Sequence, residues 1–432
     1  MLIEFAVTNF RSIKERQVVT FTSSGQVGKN FLPDNLTGKN NPLGANMLRS
    51  AIFYGANASG KSNFLRAFRT LELIVLNSDR FKLDKPIKYY SPFKLDKDSR
   101  NKPTIFEIDF IAKNGVRYIY QIAFDKLSII KEELQFFEID RKVKRPISLF
   151  SREYGMPIIF KEKYIGKQDF ALNNNQLLLS QAGTSDLPSL KEAYRFFSTY
   201  LFNVPTQTLF FDEKLLEEAE KFLSIDTEDV NIKNTIISII KAADTGITDI
   251  MTEEIDDSKI KLPEDMPDEE KQRILDRFKR RIKTIHPTYE NGVEIDKEIF
   301  DLTEESTGTI KLVGIASFVA DALSDGSVVI VDELDKNLHP LLTRMIIGLF
   351  HNPIINKNNA QLIFSSHDIS LFDRELFRRD QIFLTDKNNF GETKLSRLSD
   401  FKGISKVIPL QKWYMAGMFK GIPSINEYAI NF

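Results

Sequence analysis

The chain has no cysteine among its 432 residues. This absence excludes disulfides, thiolate metal sites and cysteine nucleophiles, and it suits a reducing compartment. Net charge is also nearly absent, because 59 lysines and arginines balance 60 aspartates and glutamates. The overall charge therefore gives no sign of a nucleic-acid binder, and local patches would have to carry such a function.

Long hydrophobic runs are also lacking. No apolar stretch approaches the roughly 20 residues of a membrane span. The opening sequence MLIEFAVTNFRSIKERQ does not have the cationic and then apolar layout of a signal peptide. We therefore expect a cytoplasmic protein without a membrane partner, with two or three domains or one domain with insertions.

A phosphate-binding pattern is present near the first quarter of the chain. Residues 55–62 read GANASGKS, which matches G-x-x-x-x-G-K-[ST]. In this pattern glycines let backbone N–H groups surround a phosphate, the lysine reaches the β/γ oxygens and the hydroxyl holds Mg²⁺. An apolar run at 51–54 predicts a strand before the loop, and an apolar stripe from Phe64 to Val75 predicts a helix after it. The loop therefore precedes a helix N-terminus, which favours an anion, whereas a purely structural turn would gain nothing from Lys61.

Two further apolar strands are predicted to end in ionisable side chains. Residues 328–331 lead into Asp332 and Glu333, and residues 362–364 lead towards His367. In a P-loop protein the first carboxylate holds Mg²⁺, and the next one orients or deprotonates the attacking water. The alternatives are solvated acids and a structural histidine. Neighbouring strand ends would place these side chains beside the P-loop.

A second anion site is predicted at residues 306–309, which read Ser-Thr-Gly-Thr and open a helix predicted from Ile310 to about Leu323 and stopped by Asp325-Gly326. The Ser306 hydroxyl and the free N–H groups of the first turn could bind a phosphate. The alternative is a simple N-cap. One phosphate cannot easily occupy this site and the P-loop of the same chain.

The remaining segments predict a mixed α/β protein. Strands are predicted at 2–7 and 18–22, and an antiparallel hairpin is predicted around Asn114-Gly115. Residues 187–245 look helical, an acidic linker follows from Glu253, and a helix is predicted from Pro267 through the sequence PDEEKQRILDRFKRRIKTI. We interpret the basic end of that helix and the basic run at 141–145 as solvated surface, with nucleic acid as the alternative ligand.

In their sequence order these motifs resemble the ATP-binding cassette (ABC) ATPases of the SMC/RecF-like branch. The segments VTNFRSIKE, GANASGKSN, EESTGT and DELDKNLHP are similar to those of compact ABC-type ATPases from bacterial antiphage systems. That group includes AriA of PARIS, PtuA of Septu and the ATPases encoded beside RloB-type proteins. The resemblance explains the segment between 187 and 283 least.

The resemblance implies an α/β ABC-ATPase fold with a mostly parallel P-loop core sheet, an antiparallel β subdomain and a helical insertion. It implies an N-terminal half at 1–186 that carries the P-loop and the antiparallel subdomain. A helical lobe would follow at 187–288. A C-terminal half at 289–432 would carry the signature, Walker B, D-loop and H-loop motifs and the tail.

The resemblance also implies a role for each motif residue. Glu333 would be the catalytic carboxylate and His367 the switch histidine, with ATP as substrate and Mg²⁺ held by Ser62 and Asp332. The residues implied to bind ATP are Gly55, Asn57, Ser59, Gly60, Lys61, Ser62, Asn63, Ser306, Gly308 and Asp335. Ser306 and Gly308 would complete the site of a second protomer, so that two chains arranged head to tail share two ATPs.

The expected function is a nucleotide-gated ATPase sensor or scaffold in phage defence that controls a separately encoded effector, a nuclease or RloB-like protein. The alternative is a RecF-like repair or recombination ATPase that binds DNA directly, which leaves nucleic acid open as a partner. A self-contained nuclease would need a metal-carboxylate domain after the His367 strand. About 65 residues follow His367, and they contain no compact acidic cluster.

Overall fold

The computed structural model of the chain divides into two units. The first comprises Met1–Asn203, Asp325–Leu334 and Ile347–Phe432, and the second comprises Val204–Ser324 and Asp335–Ile346. The described residues are 1–28, 31–138, 145–166, 170–183, 187–204, 211–224, 230–256, 266–267, 271–272, 275, 280–404 and 409–423.

The described residues form the following strands and α-helices. The strands are β1 (Leu2–Thr8), β2 (Gln17–Thr20), β3 (Ser50–Gly55), β4 (Thr104–Ile111), β5 (Arg117–Phe124), β6 (Ile129–Phe136), β7 (Ile147–Glu153), β8 (Ile159–Phe160), β9 (Leu201–Val204), β10 (Asp249–Glu254), β11 (Arg280–Glu290), β12 (Val293–Asp301), β13 (Val328–Val331), β14 (Gln361–Ser365), β15 (Ile382–Lys387) and β16 (Thr393–Arg397). The α-helices are α1 (Lys61–Asn77), α2 (Glu162–Ile165), α3 (Leu178–Ala182), α4 (Pro188–Thr199), α5 (Phe211–Leu223), α6 (Val230–Ala242), α7 (Thr307–Asp325), α8 (Pro340–His351) and α9 (Leu410–Met415).

A six-stranded sheet with the order β16-β15-β3-β14-β13-β9 forms the core of the first unit. The pairs β13–β14, β14–β3 and β3–β15 are parallel. All four residues of β13 are buried, as are all of β3 and β14. Continuous apolar runs of this kind are typical of parallel strands that are covered on both faces. Parallel pairing places the carboxyl ends of β3, β14 and β13 at one edge of the sheet.

A seven-stranded antiparallel sheet, ordered β2-β1-β4-β5-β6-β7-β8, also belongs to the first unit. Phe5 of β1 stacks on Phe68 of α1 with ring centroids 3.8 Å apart. The Gln361 side chain of β14 accepts the Leu2 N–H at 2.6 Å and donates to the Leu2 carbonyl at 3.1 Å. This buried amide joins the first strand of the chain to the core sheet.

The second unit contains the antiparallel sheet β10-β11-β12 and the helices α5 and α6. Here the helix predicted from Pro267 to Ile285 is wrong in its last part, because residues from Arg280 onwards form β11. Ile282 and Thr284 are buried while Arg281 is exposed, which is the period of two of a strand. The supposed acidic linker supplies the partner strand β10, whose carboxylates pair with the basic residues of β11.

The predicted α/β class is confirmed, with a mostly parallel P-loop sheet, an antiparallel sheet and helices α4 to α6 in the inserted region. The strands predicted at 2–7 and 18–22 are β1 and β2, and the Asn114-Gly115 hairpin joins β4 to β5. The division at residues 186 and 288 stays a prediction. The basic run at 141–145 lies outside the described residues except for Arg145.

Helix α7 is long and apolar enough to cross a membrane by its length and composition. Within the protein, 61% of its apolar window is buried. Lys311 and Ser317 are among its buried side chains, and the Ser317 hydroxyl donates to the Val313 carbonyl within the helix. This burial is typical of the core helix of a soluble protein.

His351 makes stability depend on pH. Burial, and secondarily Arg49, lowers its pKa from 6.5 to about 3, and its Nε2 lies 2.8 Å from the Ser50 hydroxyl. The unfolded chain therefore binds more protons between pH 6.5 and about 3, so this contribution is full above pH 6.5 and is lost as the pH falls. We expect a loss of about 2 kcal/mol at pH 5, measured by urea unfolding.

The control for this prediction is His351→Gln, which can still bond to Ser50 but does not titrate. Burial and Glu217 raise the pKa of Glu220 to about 7, which stabilises the folded protein as the pH falls and so opposes the effect of His351. Because Glu220 is present in both proteins, the comparison with His351→Gln isolates the contribution of the histidine. Parallel pH profiles of the two proteins would contradict the assignment.

Candidate nucleotide-binding site

Three strand ends of the core sheet meet around one cavity of about 450 Å³. The P-loop follows β3, Glu333 follows β13 and His367 follows β14. All residues that line the cavity belong to the first unit. They are Ser12, Asn57, Ala58, Ser59, Gly60, Lys61, Ser62, Asn63, Glu333, His367 and Lys387.

The two P-loop glycines are required by close packing against the β15–β16 hairpin. A Cβ at Gly55 would lie 2.2 Å from Thr385 Oγ1, and a Cβ at Gly60 would lie 2.1 Å from Thr393 Oγ1. The same threonines hold the loop, since Thr385 Oγ1 lies 2.6 Å from Ser59 Oγ and Thr393 donates to the Ser59 carbonyl at 2.8 Å. Both threonines were missed by the sequence analysis, because no spacing rule connects them to the loop.

Gly60→Ala tests this packing. Gly60 has a φ of +115°, so alanine would be strained even without the clash. We expect the substitution to reduce stability by more than about 1 kcal/mol and to weaken nucleotide binding. The matched control is Gly348→Ala in α8, where a new Cβ meets nothing within 4 Å and should stabilise the protein by about 1 kcal/mol. Thermal unfolding of both variants measures the difference; two shifts of the same sign would contradict the prediction.

Lys61 lies at the first position of α1 and is buried. Its ammonium donates to the Gly55 carbonyl at 2.7 Å and to the Ala56 carbonyl at 3.2 Å. The side chain therefore folds back onto the loop, and its role towards a phosphate stays a prediction. An anion in the loop would offer this ammonium stronger, charge-assisted hydrogen bonds than the carbonyls do.

Ser365 joins the two acidic residues after β13 to the end of β14. Its hydroxyl donates to Asp332 Oδ1 at 2.6 Å and accepts the Glu333 N–H at 2.8 Å. Glu333 has a φ of 54°, a backbone conformation that is uncommon for residues other than glycine. Its Oε1 lies 4.0 Å from His367 Nε2. The serine was not singled out by the sequence analysis, although it follows an apolar strand directly.

Mg²⁺ chemistry fits the donor types present. The described part of the chain holds no group of three or more His, Cys, Asp and Glu side chains that could bind a metal by themselves. Mg²⁺ prefers few protein ligands, with waters and phosphate oxygens in the other positions. A hydroxyl from Ser62 and a carboxylate from Asp332 match this preference.

The structure places the predicted signature segment in the second unit, together with Asp335. Ser306 is exposed, and its hydroxyl accepts the Thr309 N–H at 3.1 Å, so it is the N-cap of α7. A Cβ at Gly308 would lie 2.8 Å from the Asn337 carbonyl. The cap interpretation is therefore correct for the single chain, and the role of these residues towards a second chain stays a prediction.

Glu305 anchors the segment before Ser306. Its Oε1 accepts the Thr284 hydroxyl at 2.6 Å and lies 2.7 Å from His286 Nε2. Both partners are on β11. The sequence analysis missed this anchor. It assigned the segment that contains Thr284 to a helix, and no sequence pattern connects that segment with the start of α7.

A family model described as "AAA domain, putative AbiEii toxin, Type IV TA system" matches residues 50–373. This is more than half of the chain and includes the P-loop, Glu333 and His367. The chain belongs to this family. Membership in this AAA-domain family makes the protein a P-loop ATPase by class. No curated protein matches its sequence.

Several solved structures are similar to this AAA-domain protein at low identity. The SMC head domain from Thermotoga maritima is 11% identical with a TM-score of 0.40, and the match covers 92% of this chain and 98% of that chain. An Smc head domain bound to the C-terminal domain of ScpA, derived from Pyrococcus furiosus, is 12% identical with a TM-score of 0.42 and coverages of 96% and 98%. The recombination mediator RecF with ATP is 14% identical with a TM-score of 0.33 and coverages of 85% and 92%.

Proposed function

We propose that the protein is a Mg²⁺-dependent ATPase that acts as a nucleotide-gated sensor or scaffold in antiviral defence. It controls a separately encoded effector, a nuclease or RloB-like protein. The observation that carries the proposal is the single cavity that the P-loop, Glu333 and His367 share. The family description, which names a toxin of a toxin–antitoxin system, supports the defence setting.

The proposal assigns roles to residues that line the cavity and to two neighbours, Asp332 and Ser365. The P-loop N–H groups and Lys61 bind the phosphates, and Ser62 and Asp332 hold Mg²⁺, which neutralises phosphate charge. Glu333 orients the attacking water and accepts its proton, and His367 contacts the γ-phosphate. Ser365 positions both acids, because it bonds to the Asp332 carboxylate and to the Glu333 backbone.

A second copy of the chain completes the site in this proposal. The signature segment, Ser306 to Gly308, starts α7, and a helix N-terminus stabilises a phosphate through its free N–H groups and dipole. Asp335 lies shortly after Glu333, in the segment that the resemblance implies is the D-loop. ATP would then join two chains head to tail, and hydrolysis would release them.

The defence proposal is tested in cells that carry the native locus. We expect Glu333→Gln to abolish protection against phage infection, measured by plating efficiency, while the exposed control Glu375→Gln keeps full protection. Equal plating on strains with and without the wild-type locus would refute the defence role, and full protection by Glu333→Gln would show that defence does not need this carboxylate. The RecF-like alternative is measured separately: tight DNA binding by the purified chain alone would favour it.

We predict no intrinsic nuclease activity. The described residues hold no carboxylate and histidine group fit for a metal, and Glu333 and His367 already serve the ATP cavity. Incubation of the purified chain with plasmid DNA, transfer RNA and Mg²⁺ or Mn²⁺ should leave both substrates intact. Metal-dependent cleavage that disappears in an acid-to-amide variant would show a missed nuclease site.

A further inference from the structure

In the part of the chain that the structure describes, the hairpin of β11 and β12 leaves one strand edge uncovered. β12 lies at the edge of its three-stranded sheet, and eight of its 9 residues are exposed. Within the described ranges, no strand pairs with its outer side. Such an edge offers a row of backbone N–H and C=O groups to another strand.

Two hydrogen bonds identify the backbone groups that point outwards. The Lys297 N–H donates to the Asp296 side chain at 2.8 Å, and the Asp301 N–H donates to the Glu304 side chain at 2.8 Å. Both bonds are local and neither joins β12 to β11. Because backbone direction alternates along an antiparallel strand, the N–H of Ile299 points outwards as well.

Apolar side chains are exposed along the same strand. Val293, Ile295 and Ile299 are 65%, 60% and 53% exposed. Ile299 pairs with Ile285 on β11, so the apolar surface continues onto the neighbouring strand. Three exposed apolar side chains on one strand favour an interaction site, whereas single exposed apolar residues are ordinary.

The charges of β12 select the kind of partner. Four acids and one lysine give the strand a strongly negative edge. Antiparallel pairing with a second copy, centred on residue 296, 297 or 298, would place two acids opposite each other, which is destabilising. The negative edge would also repel nucleic acid. A strand with alternating basic and apolar side chains would match both the charges and the exposed apolar residues.

We propose that the outer edge of β12 is the docking site of a partner protein, which adds a strand of alternating basic and apolar residues to this sheet. The inference goes beyond the proposed function, because that function names an effector but no surface. The docking proposal is also independent of the ATPase proposal, since docking at this edge requires no ATP.

The test uses the full chain and a fluorescein-labelled nine-residue peptide of alternating lysine and valine. We expect saturable binding by fluorescence anisotropy. Ile299→Pro removes the outward N–H and leaves the ladder to β11, so it should weaken binding at least about tenfold, whereas Ile299→Ala keeps the N–H and should have a smaller effect. Thermal unfolding verifies that each variant is folded.

A charge variant keeps the test decisive if the proline variant does not fold. Asp296→Lys with Glu298→Lys should also weaken binding at least about tenfold, since it reverses the charge of the edge. The matched control is Asp98→Lys with Glu375→Lys, two exposed acids elsewhere, which makes the same change in net charge and should leave binding unchanged.

Four outcomes would overturn the docking proposal. They are no saturable binding, equal binding by the charge variant and its control, equal binding of a peptide with the same composition in separate lysine and valine blocks, and self-association of the wild-type chain that Ile299→Pro abolishes. The last outcome would assign the edge to a second copy. None of these results depends on ATP hydrolysis, so failure here is distinct from failure of the ATPase proposal.

Discussion

Glu333→Gln is expected to slow ATP hydrolysis by about 10²–10⁴-fold while ATP stays bound. Glutamine keeps the shape of the side chain and removes the base, and the Glu333 N–H bond to Ser365 is a backbone contact that survives. If a second chain completes the site, ATP and Mg²⁺ should then hold the joined state. Light scattering should record a larger particle with ATP than without it.

Adding Ser306→Arg to Glu333→Gln should abolish this association. A bulky cation at the N-terminus of α7 would block a phosphate and oppose the helix dipole. Each chain should still bind ATP, because the P-loop is unchanged. The control is Ser306→Ala, which adds no bulky cation. It removes the hydrogen bond from the Thr309 N–H to the Ser306 hydroxyl, at a cost of about 1 kcal/mol of stability. If the double variant associates as strongly as Glu333→Gln alone, the shared site is wrong.

Lys61→Ala is expected to weaken ATP binding by at least about 100-fold, which corresponds to roughly 3 kcal/mol. The ammonium is a charged donor within the loop, and alanine provides no replacement. Lys61 also supports the loop itself, since it is buried and bonds to two loop carbonyls. A modest loss of stability should therefore accompany the loss of binding.

Binding of a fluorescent ATP analogue measures the Lys61→Ala effect. Lys394→Ala is the matched control, because Lys394 is half exposed and paired with Glu392 in the hairpin beneath the loop. It should bind the analogue like the wild type. A melting profile of Lys61→Ala separates loss of the site from loss of the fold. Unchanged analogue binding by a folded Lys61→Ala protein would remove the nucleotide site from the proposal.

The sequence predicts the cavity well because its main parts follow a simple rule. Each of β3, β13 and β14 contains a continuous apolar run, and parallel strands bring their carboxyl ends to one edge. The chemistry-bearing residues that follow these runs, such as Lys61, Glu333 and His367, could therefore be placed together without coordinates.

The failures have equally specific causes. The segment around Arg281 and Lys283 was interpreted as a helix because its charges suit a helix dipole, but the same charges suit pairing with the acids of β10. Only the burial of alternate residues distinguishes the two, and that depends on the tertiary contacts. Ser365 and Thr385 were missed because a common polar residue becomes a site residue only through what folds beside it.

Because Thr385 and Thr393 support the P-loop, we expect the chain to bind nucleotide well only after it has been synthesised through β16. Residues 55–62 leave the ribosome early, yet Thr385 and Thr393, which hold Ser59, come more than 300 positions later. A chain cut short by a premature stop before β15 would carry the complete motif but lack the support that shapes it. Truncated products would therefore be poor competitors for ATP, although they contain every residue of the loop.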